Sequence, residues 1–157
     1  MLGGVLLGKI LRLKVMTSGT VTTSGTATIG GPFTLVATNG QNVSDQTYRG
    51  KWVLIYFGYT YCPDTCPTAL NSISVALEKL GSDASNLQPL FVTVDPQRDT
   101  RDIMAAYLKS FDSRILGLTG TKHQIASVVK DYHCTCHKTN PTPEDTTISS
   151  PTVRTSI

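Results

Sequence analysis

The sequence lacks several features that would indicate a nucleic-acid-binding or membrane-spanning protein. Its first acidic residue is Asp45, but the net charge of the 157 residues is only +3. No stripe of lysine and arginine with interleaved aromatic residues occurs, which argues against a nucleic-acid partner. The N-terminal apolar run Val5-Leu6-Leu7 is interrupted at Lys9 and falls far short of the roughly 20 residues that a membrane-spanning helix needs. No membrane anchor is therefore visible in the sequence.

Cysteine is also scarce, and its four copies are not spread along the chain. They form two close pairs, Cys62/Cys66 and Cys134/Cys136. A small disulfide scaffold would distribute its cysteines more widely, so these pairs predict local sites. With 39% hydrophobic residues, the chain can build the core of one globular domain.

The chain divides by composition into three parts. Residues 1–28 are basic and then rich in Ser, Thr and Gly, which predicts a flexible linker and leaves an import or export remnant open. Residues 29–132 carry the periodic hydrophobic pattern of an ordered domain. Residues 133–157 show neither helical nor strand periodicity, so we expect an irregular tail and an exposed sheet edge.

Within residues 29–132, the pattern alternates between strands and helices. A hairpin is predicted around Asn39-Gly40, and a buried strand from Val53 to near Tyr59. Pro67 suits the first helical position with Cys66 as N-cap, and Gly81 suits the end of that helix. Its predicted buried face is Leu70, Ile73, Leu77 and Leu80.

Two further strand-and-helix units follow. The second has a strand at 89–94 and a helix capped by Thr100, and the third has a strand at 115–118 and a helix capped by Thr121. The predicted buried faces of these helices are Ile103, Met104, Tyr107, Leu108 and Phe111 in one, and Ile125, Val128, Val129 and Tyr132 in the other. Parallel strands joined by helices predict an α/β layer sandwich.

Cys62 and Cys66 are the strongest functional candidates, because they follow the central strand at the edge where open α/β sheets usually carry chemistry. Two thiolates at one tight turn can bind a soft ion such as Cu(I). An N-cap position should also lower the pKa of Cys66. A static disulfide or two plain buried thiols are equally compatible with the spacing.

Other candidate ligands have more ordinary interpretations. Asp95 and Asp99 are predicted to serve as turn and cap residues, and His123 as a solvated residue in the first turn of a helix. The C-terminal group His133, Cys134, Cys136 and His137 lacks the wider spacing of a zinc module.

Four ordered motifs give a specific resemblance. Ile29-Gly30-Gly31-Pro32-Phe33, the segment from Tyr56 to Pro67, Val94 to Thr100, and Gly117-Leu118-Thr119-Gly120 together resemble the Sco/SenC family of copper chaperones for cytochrome c oxidase. The resemblance implies a thioredoxin-like, three-layer α/β sandwich. It also implies that Cys62 and Cys66 bind copper with one histidine and form a reversible disulfide.

The resemblance implies partners and a compartment as well. The partners would be the copper-site subunit of cytochrome c oxidase and a thiol-disulfide redox protein. The setting would be the mitochondrial inner membrane facing the intermembrane space, or the bacterial periplasm and inner membrane.

The C-terminal part departs from the family pattern. The family's later hairpin with its aspartate-histidine pair is not reproduced after Tyr132, nor are its last strands and final helix, so we expect these to be missing and one ligand to be absent. His133 or His137 would then be the substitute candidates. Two alternatives stay open: a thiol-disulfide oxidoreductase of thioredoxin or peroxiredoxin type, and a truncated product without function.

Overall fold

The computed structural model describes residues 29–134 and 152–154. The predicted linker at 1–28, most of the predicted irregular tail, and the candidate residues Cys136 and His137 lie outside these ranges. The strands and helices, in chain order, are β1 Thr34–Ala37, β2 Asn42–Ser44, β3 Trp52–Gly58, α1 Thr65–Leu80, β4 Leu87–Thr93, α2 Arg101–Leu108, β5 Leu116–Thr119, α3 Lys122–Asp131 and β6 Thr152–Arg154.

The six strands form one mixed sheet in the order β2-β1-β5-β4-β3-β6. The three central strands β3, β4 and β5 are parallel, as predicted from the alternation of strands and helices. The predicted hairpin is also present as β1 and β2, which pair with each other, and β1 continues the sheet beside β5. The carboxyl ends of the three parallel strands therefore meet at one edge.

The expectation of an exposed sheet edge beside β3 is wrong. Strand β6 pairs antiparallel with β3, with Val153 opposite Leu54. The segment contains the β-branched residue Val153 between Thr152 and Arg154, and three residues are too few to show the alternation that predicts a strand. An edge strand of this kind covers the unpaired backbone groups that β3 would otherwise present to solvent.

Two apolar cores lie on opposite faces of the sheet. The α3-side core contains Phe33, Leu35, Leu118, Ile125 and Val128 among its buried members. The cysteine-side core lies beneath α1 and α2 and includes Tyr56, Cys66, Leu70, Phe91 and Met104. Helices thus cover both faces, which gives the predicted three layers.

The helix faces agree with the pattern except at their margins. Leu70, Leu77, Met104 and Leu108 are buried, whereas Leu80 is 43% and Ile103 is 47% exposed. Leu80 is the last residue of α1. Ile103 lies at the margin of the apolar face of the short helix α2, whose buried residues are Met104 and Leu108. Both were predicted to be buried, and both predictions are wrong.

The helix ends are fixed by local hydrogen bonds. The Thr100 and Thr121 hydroxyls accept hydrogen bonds from the backbone amides of Ile103 and Gln124, so both predicted caps are confirmed. Gly81 ends α1 with a positive φ of 53°, which a residue with a side chain rarely adopts. No helix within residues 29–134 and 152–154 is long and apolar enough to span a bilayer.

Candidate metal centre

The two cysteines lie where β3 passes into α1, at the edge of the sheet where the parallel strands end. Helix α1 begins at Thr65 with Asp64 as its N-cap, so Cys66 lies inside the first turn. The prediction that Cys66 caps the helix and Pro67 opens it is therefore wrong by two positions. Proline is tolerated anywhere in the first turn, because an amide there has no intrahelical acceptor, and it did not mark the start uniquely.

Cys62 and Cys66 are both free thiols, and the two residues contact each other. The backbone N–H of Cys66 donates to Sγ of Cys62 over 3.4 Å. The free amide at the start of α1 therefore serves Cys62, and not Cys66 as the N-cap prediction implied. A pair of adjacent reduced thiols can bind one soft metal ion or be oxidised to a disulfide.

The predicted lowering of the Cys66 pKa is wrong. Cys66 is only 4% exposed, and this burial raises its pKa to about 11. Hydrogen bonds from the Tyr59 backbone and the Tyr56 hydroxyl favour the thiolate but do not offset the loss of water. Without a metal ion, Cys66 is a protonated thiol at neutral pH, whereas Cys62 is partly exposed.

A glycine makes room for the buried sulfur. A Cβ atom at Gly58 would lie 2.9 Å from Sγ of Cys66 and 2.7 Å from the ring of Phe91. Distances this short exclude a side chain unless the neighbours move. Gly58, the last residue of β3, therefore allows Cys66 to pack directly against the central strands.

Only one of the two aspartates has the role that was predicted. Asp95 is a turn residue, as expected: its backbone carbonyl accepts from the amides of Arg98 and Asp99. Asp99 does not cap a helix. Its carboxyl group is buried and accepts hydrogen bonds from Thr60 in the cysteine loop and from Thr93 at the end of β4, so its cap prediction is wrong.

The exposed rim of the site is aromatic and charged. Tyr61, which precedes Cys62, is 76% exposed, and the guanidinium of Arg98 lies 5.5 Å from the centre of its ring. Arg98 also pairs with Asp95 at 2.5 Å. Through its contact with Tyr61, Arg98 links the cysteine loop to the turn that follows β4.

The two histidines in the described part of the chain, His123 and His133, do not form a metal-binding group with the cysteines. His123 is exposed, as predicted, and His133 is an exposed residue with a positive φ of 50° that follows α3. No group of three or more His, Cys, Asp or Glu residues is arranged to hold a metal ion within residues 29–134 and 152–154. Cys134 is disulfide-bonded. The described residues thus supply two thiol ligands and no third.

The sequence analysis did not identify the threonines that hydrogen-bond to Asp99 or the tyrosine beside Cys66. Thr60, Thr93 and Thr119 all come at or just after the ends of parallel strands, and the hydroxyl of each one contacts Asp99. Because those strand ends meet at one edge, the position of these threonines was a usable signal. The Tyr56 hydroxyl gave no such signal, since a tyrosine in a buried strand fits the apolar pattern equally well.

Comparison with known proteins gives consistent matches. The SCO1/SenC family model matches residues 21–154. The chain is 46% identical over 128 residues to the mitochondrial protein SCO1 homolog 2 of Arabidopsis thaliana, covering 81% of this chain and 46% of that protein. It is 41% identical over 106 residues to the human mitochondrial protein SCO1 homolog, covering 66% of this chain and 35% of that protein. The chain therefore spans less than half the length of these two relatives.

A solved structure extends the likeness to three dimensions. The copper-bound structure of ScoI from Bradyrhizobium japonicum is 42% identical, with a TM-score of 0.69, covering 80% of this chain and 78% of that one. The predicted thioredoxin-like α/β fold is thereby confirmed. On its matched sequence and its fold, this chain belongs to the SCO1/SenC family.

Proposed function

We propose that this protein is a copper-binding chaperone that acts in the assembly of cytochrome c oxidase, with Cys62 and Cys66 as its copper ligands. The observation that carries the proposal is the pair of free, contacting thiols at the strand-to-helix turn of a SCO1/SenC family member. The copper-bound state of the Bradyrhizobium relative supports copper as the ion.

The residues present fit a soft ion. Two thiolates favour Cu(I) over harder cations, and the loop that carries them is already fixed before binding by Pro63, α1 and the Asp99 contacts. Binding displaces the thiol protons, so copper must overcome the raised pKa of Cys66. Cys62, which is partly exposed, is the thiol that an incoming ion or an acceptor protein can reach first.

Copper is the cargo in this proposal. An acceptor offering more or stronger ligands would remove it by stepwise exchange, with each departing thiolate regaining its proton. We propose that the acceptor is the copper-site subunit of cytochrome c oxidase and that a thiol-disulfide partner keeps the two cysteines reduced. We propose a mitochondrial inner-membrane setting facing the intermembrane space, with a bacterial periplasmic or inner-membrane setting as the alternative. The mitochondrial relatives support the mitochondrial part of this proposal.

The test is Cu(I) binding in competition with a chromophoric chelator. The full chain should bind one Cu(I), and the variant Cys62→Ser/Cys66→Ser should bind none. The matched control, Cys134→Ser/Cys136→Ser, should bind like the unaltered chain. If the control lost binding and the Cys62/Cys66 variant kept it, the ligand assignment would be wrong.

A thiol-disulfide oxidoreductase is the second candidate, because two adjacent free thiols also suit disulfide exchange. The partly exposed Cys62 would attack the substrate disulfide, and the buried Cys66 would resolve the mixed disulfide after losing its proton, which its raised pKa makes unfavourable. Resolution at neutral pH, and with it insulin reduction coupled to thioredoxin reductase, should therefore be slow. Turnover as fast as that of thioredoxin would favour the enzyme over the chaperone.

A further inference from the structure

The Asp99 carboxyl group is buried at the edge where the parallel strands end. The residue is 1% exposed. One carboxyl oxygen accepts from the Thr60 hydroxyl over 2.6 Å, and the other accepts from the Thr60 amide over 3.0 Å and the Thr93 hydroxyl over 2.7 Å. Burying a carboxyl group is costly unless such donors satisfy it, so its three bonds indicate a specific arrangement.

These bonds connect the cysteine loop to the rest of the sheet. Thr60 lies in the loop that leaves β3, two residues before Cys62, and Thr93 is the last residue of β4. The backbone carbonyl of Asp99 also accepts from the hydroxyl of Thr119, the last residue of β5, over 3.3 Å. A single residue thus joins the ends of all three parallel strands.

The two cysteines are held by different parts of the molecule. Cys66 is fixed in α1 and in the cysteine-side core. Cys62 lies in the loop, where its amide donates to the Tyr59 carbonyl over 3.2 Å. The neighbouring Thr60 donates two of the three hydrogen bonds that the Asp99 carboxyl group accepts. The position of the Cys62 sulfur relative to the Cys66 sulfur therefore depends on how firmly Thr60 is held.

We propose that Asp99 is a positioning residue: through Thr60 it holds Cys62 against Cys66 and so sets the copper affinity and the disulfide equilibrium of the pair. The part that concerns copper rests on the proposed function. Residues that orient metal ligands typically change metal affinity about 10- to 100-fold when they are replaced.

The experiment uses the full chain and the variants Asp99→Asn, Asp99→Ala and Thr60→Val. Thr60→Val keeps the shape of the side chain and replaces only its hydroxyl, with a methyl group. The destabilising control is Val128→Ala, in the α3-side core away from the thiols. Each protein is measured for melting temperature, for Cu(I) affinity by chelator competition, and for its equilibrium with glutathione.

In the glutathione equilibrium, the two thiols give two electrons and two protons to one glutathione disulfide, which becomes two glutathione molecules, while a Cys62–Cys66 disulfide forms. A loosened loop makes closing this disulfide less favourable. We expect the Asp99 and Thr60 variants to lower the equilibrium constant for oxidation several-fold and Cu(I) affinity about 10- to 100-fold. Val128→Ala should lower the melting temperature and change neither property.

A merely structural role would move only the melting temperature. The inference is overturned if Asp99→Asn and Thr60→Val lower the melting temperature as much as Val128→Ala does but have the same glutathione equilibrium constant as the unaltered chain. Absence of Cu(I) binding by the unaltered chain would instead refute the proposed function, and the glutathione equilibrium would still decide the role of Asp99. If Asp99→Ala does not fold, the two more conservative variants give the answer.

Discussion

The two cores of this protein share one sheet but differ in what they contain. The α3-side core stabilises the fold, and no candidate ligand is among its fully buried members. The cysteine-side core contains Cys66, and Cys62 packs against it. One ligand of the candidate site is thus also a core residue. The comparison indicates that packing changes on the cysteine side should alter both stability and thiol chemistry, whereas changes on the α3 side should alter stability alone.

The largest expected effect comes from two leucines, one in each core. Leu70 lies one helical turn after Cys66, and Leu118 lies in β5 facing α3; both are fully buried. Replacing either one with alanine should lower the free energy of unfolding by about 2–5 kcal/mol through lost burial and a cavity. Urea denaturation measures this loss for each variant.

The two leucine variants separate the cores when Cu(I) affinity is also measured. Leu70→Ala should weaken Cu(I) binding, because the turn of α1 that carries Cys66 loses its support. Leu118→Ala should bind as the unaltered chain does, once the fraction folded is taken into account. Equal affinities in the two variants would contradict the division between a structural core and a functional one.

The same division explains which features were predictable from the sequence. Alternating strands and helices, the hairpin at Asn39-Gly40 and the caps at Thr100 and Thr121 follow from local patterns, and all of them are confirmed. Periodicity and capping are properties of neighbouring residues, so one sequence contains them. The proximity of Cys62 and Cys66 also follows from the sequence, because only three residues at a tight turn separate them and few arrangements would keep them apart.

Apart from the two-residue shift at the start of α1 and the exposed helix residues Leu80 and Ile103, the errors concern contacts between distant segments. The pKa of Cys66 depends on burial beneath Gly58 and Phe91, which no local pattern reveals. The role of Asp99 depends on Thr60, which lies 39 residues earlier in the chain. Strand β6 depends on pairing with β3, about a hundred positions earlier in the sequence. In each case the tertiary environment overrode the simplest local interpretation, a cap, a turn or an irregular tail.

A smaller effect is expected from pH. Burial raises the pKa of Cys66 from 9.0 to about 11 in the folded chain. The folded state holds this proton more tightly than the unfolded state does. The resulting stability is complete below about pH 9 and is lost as the pH rises towards 11. The free energy of unfolding should fall by about 1–3 kcal/mol over this interval.

The variant Cys66→Ser isolates this contribution, since lysines and tyrosines also titrate at high pH. The difference in urea midpoint between the unaltered chain and Cys66→Ser should decrease from pH 8.5 to pH 11. A Cys66→Ser difference that does not depend on pH would show that burial does not hold the proton on Cys66.

The smallest effect is expected from two tyrosine hydroxyls, one associated with each core. The hydroxyls of Tyr48, in the α3-side core, and Tyr107, beside the cysteine-side core, are buried with no hydrogen-bond partner in the described part of the chain. Removing such a hydroxyl relieves a desolvated polar group, so Tyr48→Phe and Tyr107→Phe should each leave the free energy of unfolding unchanged or raise it by about 1 kcal/mol.

The two tyrosines should differ in their effect on copper. Tyr107 packs against the same core that contains Cys66 and contacts Cys62, and burial raises the pKa of Tyr107, which keeps its hydroxyl neutral. A neutral hydroxyl there can stabilise the thiolates of the copper-bound pair, so Tyr107→Phe should weaken Cu(I) binding by less than about tenfold, or 1.4 kcal/mol, and Tyr48→Phe should not. Identical Cu(I) affinities for the two variants would show that the cysteine-side core influences the thiols through packing alone.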